Sequence, residues 1–192
     1  MGDGRWAMGP SRNEPSSRAA TKPSSFGGNI VSSLFQGRYA KQFLAGWGMM
    51  DFNGHLANTA YLDLAADVRM SFFAEHGFPP KEFRRLAIGP VIRKEEIEYF
   101  REIGLHETVT VTHAVLGMSA DASRFLIENE IWNAGGERAA VIRSSGGWLD
   151  LRARKLVLPP QALIEAMSQV PRAPDFIELP PSSKATPAKP SV

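Results

Sequence analysis

The apolar residues of this chain follow two different periods. Tyr39, Phe43, Ala45 and Trp47 share one parity, with Lys41 as the exception, and that alternation predicts a first strand. After Asp51 the spacing changes to four. Ala60, Leu64, Val68 and Phe72 form one row, widened by Tyr61, Ala65 and Met70, while Thr59, Asp63, Asp67 and Ser71 make a narrow polar stripe. A helix with so much of its girth apolar is normally wrapped by other structure. Gly77 and Pro79-Pro80 end it.

Alternation returns downstream. A linker containing Phe83 leads through Gly89-Pro90 to a strand-like run from Val91 to Phe100, whose Arg-Lys-Glu-Glu centre calls for partial exposure. Thr108 to Leu116 is the clearest strand, with Val109, Val111, His113 and Val115 on one face. Phe125, Ile127 and Ile131 mark the next, and Asn133-Ala-Gly-Gly136 is a hairpin turn. A last strand runs from Arg138 towards Leu151, where Gly146-Gly147 suggests a bulge. Gln161 to Ser168 is a short helix candidate after Pro159-Pro160. The order predicts an α+β fold in which a curved antiparallel sheet wraps one long central α-helix.

The flanks differ in composition. Residues 1–35 are rich in Gly, Ser, Pro and Arg and read as a disordered leader; residues 36–160 read as the folded domain. Residues 161–192 read as a short helix followed by a Pro-rich disordered tail. The 192 residues carry 22 basic and 20 acidic side chains, and no basic run interleaved with aromatics suggests nucleic-acid binding. The absence of cysteine excludes disulfides, thiolate zinc sites and a cysteine nucleophile. No apolar run reaches transmembrane length, no metal or cofactor motif is present, and a cytoplasmic protein is the expectation.

Candidate chemistry gathers at Asp51-Phe-Asn53-Gly54-His55. Gly54 allows a positive φ, and Asp51 and Asn53 are good capping residues ahead of a helix. A carboxylate beside the free N–H groups of a helix N-terminus pairs a base or nucleophile with donors for a polarised carbonyl. Spacing alone leaves Asp51 equally readable as a helix cap. His113, on an apolar strand face, reads as a core histidine.

The run Asp51-x-x-Gly54-His55-x-x-Asn58-x-x-Tyr61, continuing to Arg69, resembles the 4-hydroxybenzoyl-CoA thioesterase-like branch of the hotdog-fold acyl-CoA thioesterases. Trp148-Leu-Asp150 and Pro159-Pro160 resemble the end of that domain. Met49 and Ala57 depart from the pattern, where many relatives have an acid and an asparagine. The resemblance implies a hotdog fold that hydrolyses an acyl-CoA thioester, without a cofactor, as a homodimer or homotetramer. Asp51 would be base or nucleophile, and the amides near Ala57 and Asn58 would hold the thioester oxygen. His55 is a further catalytic candidate, and Gly54, Tyr61 and Ala57 are candidates for substrate contact. Asp67, a helix acid, is the reserve. Two other functions compete: a non-catalytic acyl-CoA-binding module, and a hotdog hydratase or dehydratase. The second fits less well, because such enzymes place histidine five positions after the aspartate and His55 stands at four.

Overall fold

The computed structural model describes residue 35 and residues 37–187. The expected leader, residues 1–35, lies outside the described residues except for Phe35. Short-range alternation builds β1 (Tyr39–Leu44), which leads through a 3-10 turn at Trp47–Met49 to α1 (Asn58–Glu75). Then come α2 (Pro80–Leu86), β2 (Ile88–Tyr99), β3 (Thr108–Ser119), β4 (Arg124–Trp132) and β5 (Arg138–Asp150). The described chain closes with β6 (Lys155–Val157), α3 (Gln161–Ser168) and β7 (Arg172–Leu179). No helix among the described residues is long and apolar enough to cross a membrane.

The sheet runs β1-β3-β4-β5-β2, antiparallel throughout this path. The sequence pointed to one long helix and a short one at Gln161–Ser168; three are described, of 18, 7 and 8 residues, and the last has those bounds. The segment around Phe83, expected to be a linker, is the second: Pro80 starts it, and Phe83 is buried against Phe73, Phe78 and Trp148. α1 packs on β3, β1 and β5 through Ala60, Tyr61, Leu64, Ala65, Val68, Phe72 and Phe73. Trp47, placed on the buried parity of the first strand by its spacing, is 77% exposed in the 3-10 turn.

Two further expectations change. Gly146-Gly147 does not break the last strand, since β5 runs through both; the irregularity lies opposite, between Ile92 and Lys94 of β2. The glycines are there for close approach: a Cβ on Gly146 would sit 2.2 Å from the Val91 carbonyl oxygen, and one on Gly147 2.7 Å from that of Ser123. Likewise, the described part of the expected tail, residues 171–187, holds a strand, and residues 188–192 lie outside the described residues. β7 pairs in parallel with the Val115–Ser119 half of β3, the half that six-residue β1 leaves uncovered. Covering an open edge satisfies backbone groups that composition alone left unassigned.

The core has two large clusters, one around Leu64, Val109 and Ile142 and one around Phe72, Phe125 and Trp148, and a small third of Ala114, Leu116 and Ala173. Polar side chains are buried along the sheet where α1 crosses it: His113, Asn129 and Ser144 from the strands and Arg69 from α1. Arg69 reaches Glu95 at 3.3 Å, Ser144 donates to the same carboxylate at 2.7 Å, and Asn129 Nδ2 donates to the Thr112 carbonyl at 2.9 Å. Burial, and secondarily the Arg69 guanidinium, pushes the His113 pKa from 6.5 down to about 3. The folded chain therefore keeps this ring neutral while the unfolded chain binds a proton below its ordinary pKa. This contribution is fully present above about pH 6.5 and is lost as pH falls towards 3, at up to ~1.4 kcal/mol per pH unit. The urea midpoint of the parent should thus fall more steeply between pH 6.5 and 4 than that of His113→Gln. Parallel slopes would contradict the assignment.

Candidate active site

The turn before α1 is built by Asp51 itself. Its Oδ1 accepts the backbone N–H groups of Asn53 at 2.8 Å and His55 at 3.1 Å. The Asp51 N–H donates to the His55 carbonyl at 2.8 Å, and the Gly54 N–H to the Asp51 carbonyl at 3.1 Å. Closing so tight a turn requires the positive φ of +80° at Gly54. One carboxylate oxygen is thereby spent on structure. The other, Oδ2, makes no hydrogen bond among the described residues.

Asp51 is not the cap of α1. The N-cap position is Ala57, with φ −61° and ψ 145°, and no side chain caps it. The first N–H groups of the helix, beginning with Asn58, have no acceptor within it. The Ala57 N–H, expected as an oxyanion donor, is not free: it donates to the Met49 carbonyl at 2.8 Å. The Ala60 N–H donates to the Ala57 carbonyl at 2.9 Å. Among Asn58, Thr59 and Ala60 it is Asn58, whose N–H has no acceptor among the described residues, that lines the cleft beside the Asp51 turn.

The loop is pinned from far along the chain. Leu56 N–H donates to the Ile103 carbonyl at 2.8 Å, and His55 bridges to Gly104. The end of β2 and the residues after it thus become the opposite wall of an open cleft of about 620 Å³. Asp51, Asn53, His55, Leu56, Asn58 and Tyr61 line one side, and Tyr99, Phe100, Arg101 and Glu102 the other. Four of the six residues singled out from the sequence therefore come together: Asp51, His55, Asn58 and Tyr61. Gly54 and Ala57 do not line the cleft, nor does Asp67, which is exposed on α1.

Residues 99–102 were missed by sequence reasoning, because no local motif ties them to a turn more than forty positions earlier. Tyr99 Oη donates to the Asn58 carbonyl at 3.3 Å, and its ring meets that of Tyr61 edge-on at 5.1 Å. Glu102 lies 3.4 Å from His55 Nε2. Burial, with Tyr99, Glu102, Glu107 and Asp51 nearby, pushes the Tyr61 phenol up to about 12, so it remains a protonated donor through the neutral range. The cleft thus holds an unpaired carboxylate oxygen, a helix-end amide and a neutral phenol, the parts needed to activate water and to receive negative charge on a carbonyl oxygen.

Solved structures share this architecture. A Staphylococcus aureus protein solved in complex with CoA superposes with a TM-score of 0.62 at 19% identity, over 71% of this chain and 87% of that one. A 1,4-dihydroxy-2-naphthoyl-CoA thioesterase from Synechocystis gives 0.62 at 16% identity, over 69% and 96%. A DHNA-CoA thioesterase from Staphylococcus aureus gives 0.63 at 19%, over 69% and 89%. At these identities the likeness is one of fold: an antiparallel sheet with few helices, as in the hotdog proteins. No curated protein sequence is significantly similar to the chain. The sequence model of the thioesterase-like superfamily matches residues 45–167, a span holding the Asp51 turn, α1 and strands β2 to β6. The chain belongs to the thioesterase-like superfamily.

Proposed function

We propose that this protein is an acyl-CoA thioesterase, hydrolysing an acyl-CoA thioester to a free acid and CoA. The observation that carries this reading is the meeting of the unpaired Asp51 Oδ2 and the N-terminal residue of α1, Asn58, in one open cleft. Asp51 takes a proton from water, or attacks the thioester carbonyl directly. The Asn58 N–H, at the positive end of the helix, stabilises the oxyanion. Tyr61 lines the acyl end of the cleft as a neutral donor, and His55, tied to Glu102, positions the rim. The family match and the thioesterases among the similar structures support the same reaction.

In the same reading α1 is the central helix of a hotdog domain, with the sheet curved around it and α3 and β7 packed on as part of the same unit. β2 pairs only with β5 in the described chain, so its outer edge is where a second copy would add its own β2 to give a homodimer. Thiol release from a panel of aromatic, short aliphatic and long-chain acyl-CoAs tests the activity. Hydrolysis of at least one class is the expected result. Tight binding of acyl-CoA with no turnover across the panel would replace it with the binding-module reading.

A further inference from the structure

On the face of the sheet turned away from α1 lies a second cleft, of about 440 Å³, which shares no lining residue with the Asp51 cleft. Strand register sets its floor: Lys94 of β2 stands opposite Ser145 of β5, which in turn stands opposite Leu126 of β4. Leu126 packs with Ala114, Leu116 and Ala173 on this outer face, while its neighbours Phe125 and Ile127 point into the core. Gly147 lets the backbone of Ser123, another lining residue, pack directly against the floor, its carbonyl oxygen lying 2.7 Å from where a Cβ would stand. The segment after β7 supplies a wall, fastened by the Ser182 N–H donating to Ser123 Oγ at 2.9 Å.

The charge in this cleft is one-sided. Arg93, Lys94 and Arg124 all line it, and no carboxylate does. Arg93 has no ion-pair partner among the described residues, and Arg124 Nη1 reaches only the Pro180 carbonyl, at 3.4 Å. Lys94 pairs with the exposed Glu96 at 2.7 Å. The register shift between Ile92 and Lys94 inserts Arg93 as an extra residue, so two consecutive cations reach one cleft where a regular strand would send them to opposite faces. Guanidinium groups that lack carboxylate partners, beside hydroxyls and in a concave pocket, suit phosphate oxygens, which they bind in forked pairs.

We propose that this cleft binds the phosphate groups of a phosphorylated ligand, which on the thioesterase reading above, on which this proposal rests, is the CoA part of the substrate. CoA offers a diphosphate and a phosphomonoester, the latter with about −1.5 to −2 charge at neutral pH. Arg93 stands six residues from Tyr99 along β2, about 20 Å at strand spacing, so the cleft is a distal handle on the substrate and takes no part in the chemistry. A phosphopantetheine arm on a carrier protein would bring the same chemistry with one phosphate.

The test compares the full chain with an Arg93→Ala/Arg124→Ala double variant, whose side chains are exposed. Calorimetric titrations use CoA, 3′,5′-ADP and 4′-phosphopantetheine; kinetics use an acyl-CoA and the N-acetylcysteamine thioester of the same acid, which has no phosphate. The variant should bind CoA and 3′,5′-ADP at least tenfold more weakly. Its KM for acyl-CoA should rise similarly with kcat unchanged, and its kcat/KM on the phosphate-free thioester should match the parent. Parent binding of 4′-phosphopantetheine as tight as of CoA, lost in the variant, would keep the phosphate site and assign it to a carrier arm. Equal CoA binding by parent and variant, equal losses on both thioesters, or no binding of any probe by the parent would overturn the proposal. If the parent hydrolyses neither thioester, the thioesterase reading falls, while the titrations still decide the cleft.

Discussion

Asp51→Asn should lower kcat by about 10²–10⁴-fold with the fold intact, the range expected for loss of a well-placed general base. The substitution separates the two tasks of this carboxylate. An amide oxygen still accepts the Asn53 and His55 N–H groups that bond Oδ1, so the turn survives. What disappears is the anionic second oxygen, the group that takes a proton or attacks. Single-turnover thiol release by parent and variant, with circular dichroism to verify folding, makes the comparison. A folded variant with the parent's kcat would reduce Asp51 to the acceptor that shapes the turn. The role would not then pass to Asp67, which stands outside the cleft.

Trp148→Ala should cost about 4 kcal/mol of stability, within the 3–5 kcal/mol typical for emptying a buried aromatic site. Trp148 is 1% exposed; it lies parallel to Phe83 at 6.3 Å and meets Phe73 and Phe125 edge-on at 6.0 and 5.7 Å. Its Nε1–H donates to the buried Ala122 carbonyl at 3.0 Å, which the variant leaves unpaired. Against a typical total of about 5–15 kcal/mol the loss is large, and it corresponds to a fall in Tm of roughly 8–16 °C for a chain of this size. Trp148→Phe keeps a ring in the site and should lose less. Urea midpoints of the three proteins test this. An alanine variant within about 1 kcal/mol of the parent would mean that Phe83 and α2 do not depend on this ring.

The parts of the site that were legible in the sequence lie within a few residues of one another. His55, Asn58 and Tyr61 were marked by the family resemblance of the run that begins at Asp51. Asp51, Asn53 and Gly54 could be singled out because a tight turn ahead of a helix is governed by short-range sterics and hydrogen bonding. The same holds for the Asn133–Gly136 hairpin, where Asn133 N–H donates to the Glu137 carbonyl and Gly136 takes a φ of +76°. Arg69 shows where the pattern runs out. Four positions after Ala65 its spacing puts it on the buried side of α1, but its charge argues against burial, and only Glu95, Ser144 and the Ala65 carbonyl explain why a guanidinium is tolerated there.

By itself, then, the sequence determined an antiparallel α+β plan, the Asp51 turn and the apolar girth of α1, since each follows from periodicity or from turn chemistry within a handful of positions. The tertiary structure alone decided which donors are free and which distant residues share the cleft. Ala57 lost its N–H to Met49, Tyr99 and Glu102 were carried to Asn58 and His55, and β7 was recruited to the open half of β3. Those outcomes depend on strand register and on competition among backbone groups for partners. Such competition is settled only when segments tens of residues apart are packed together.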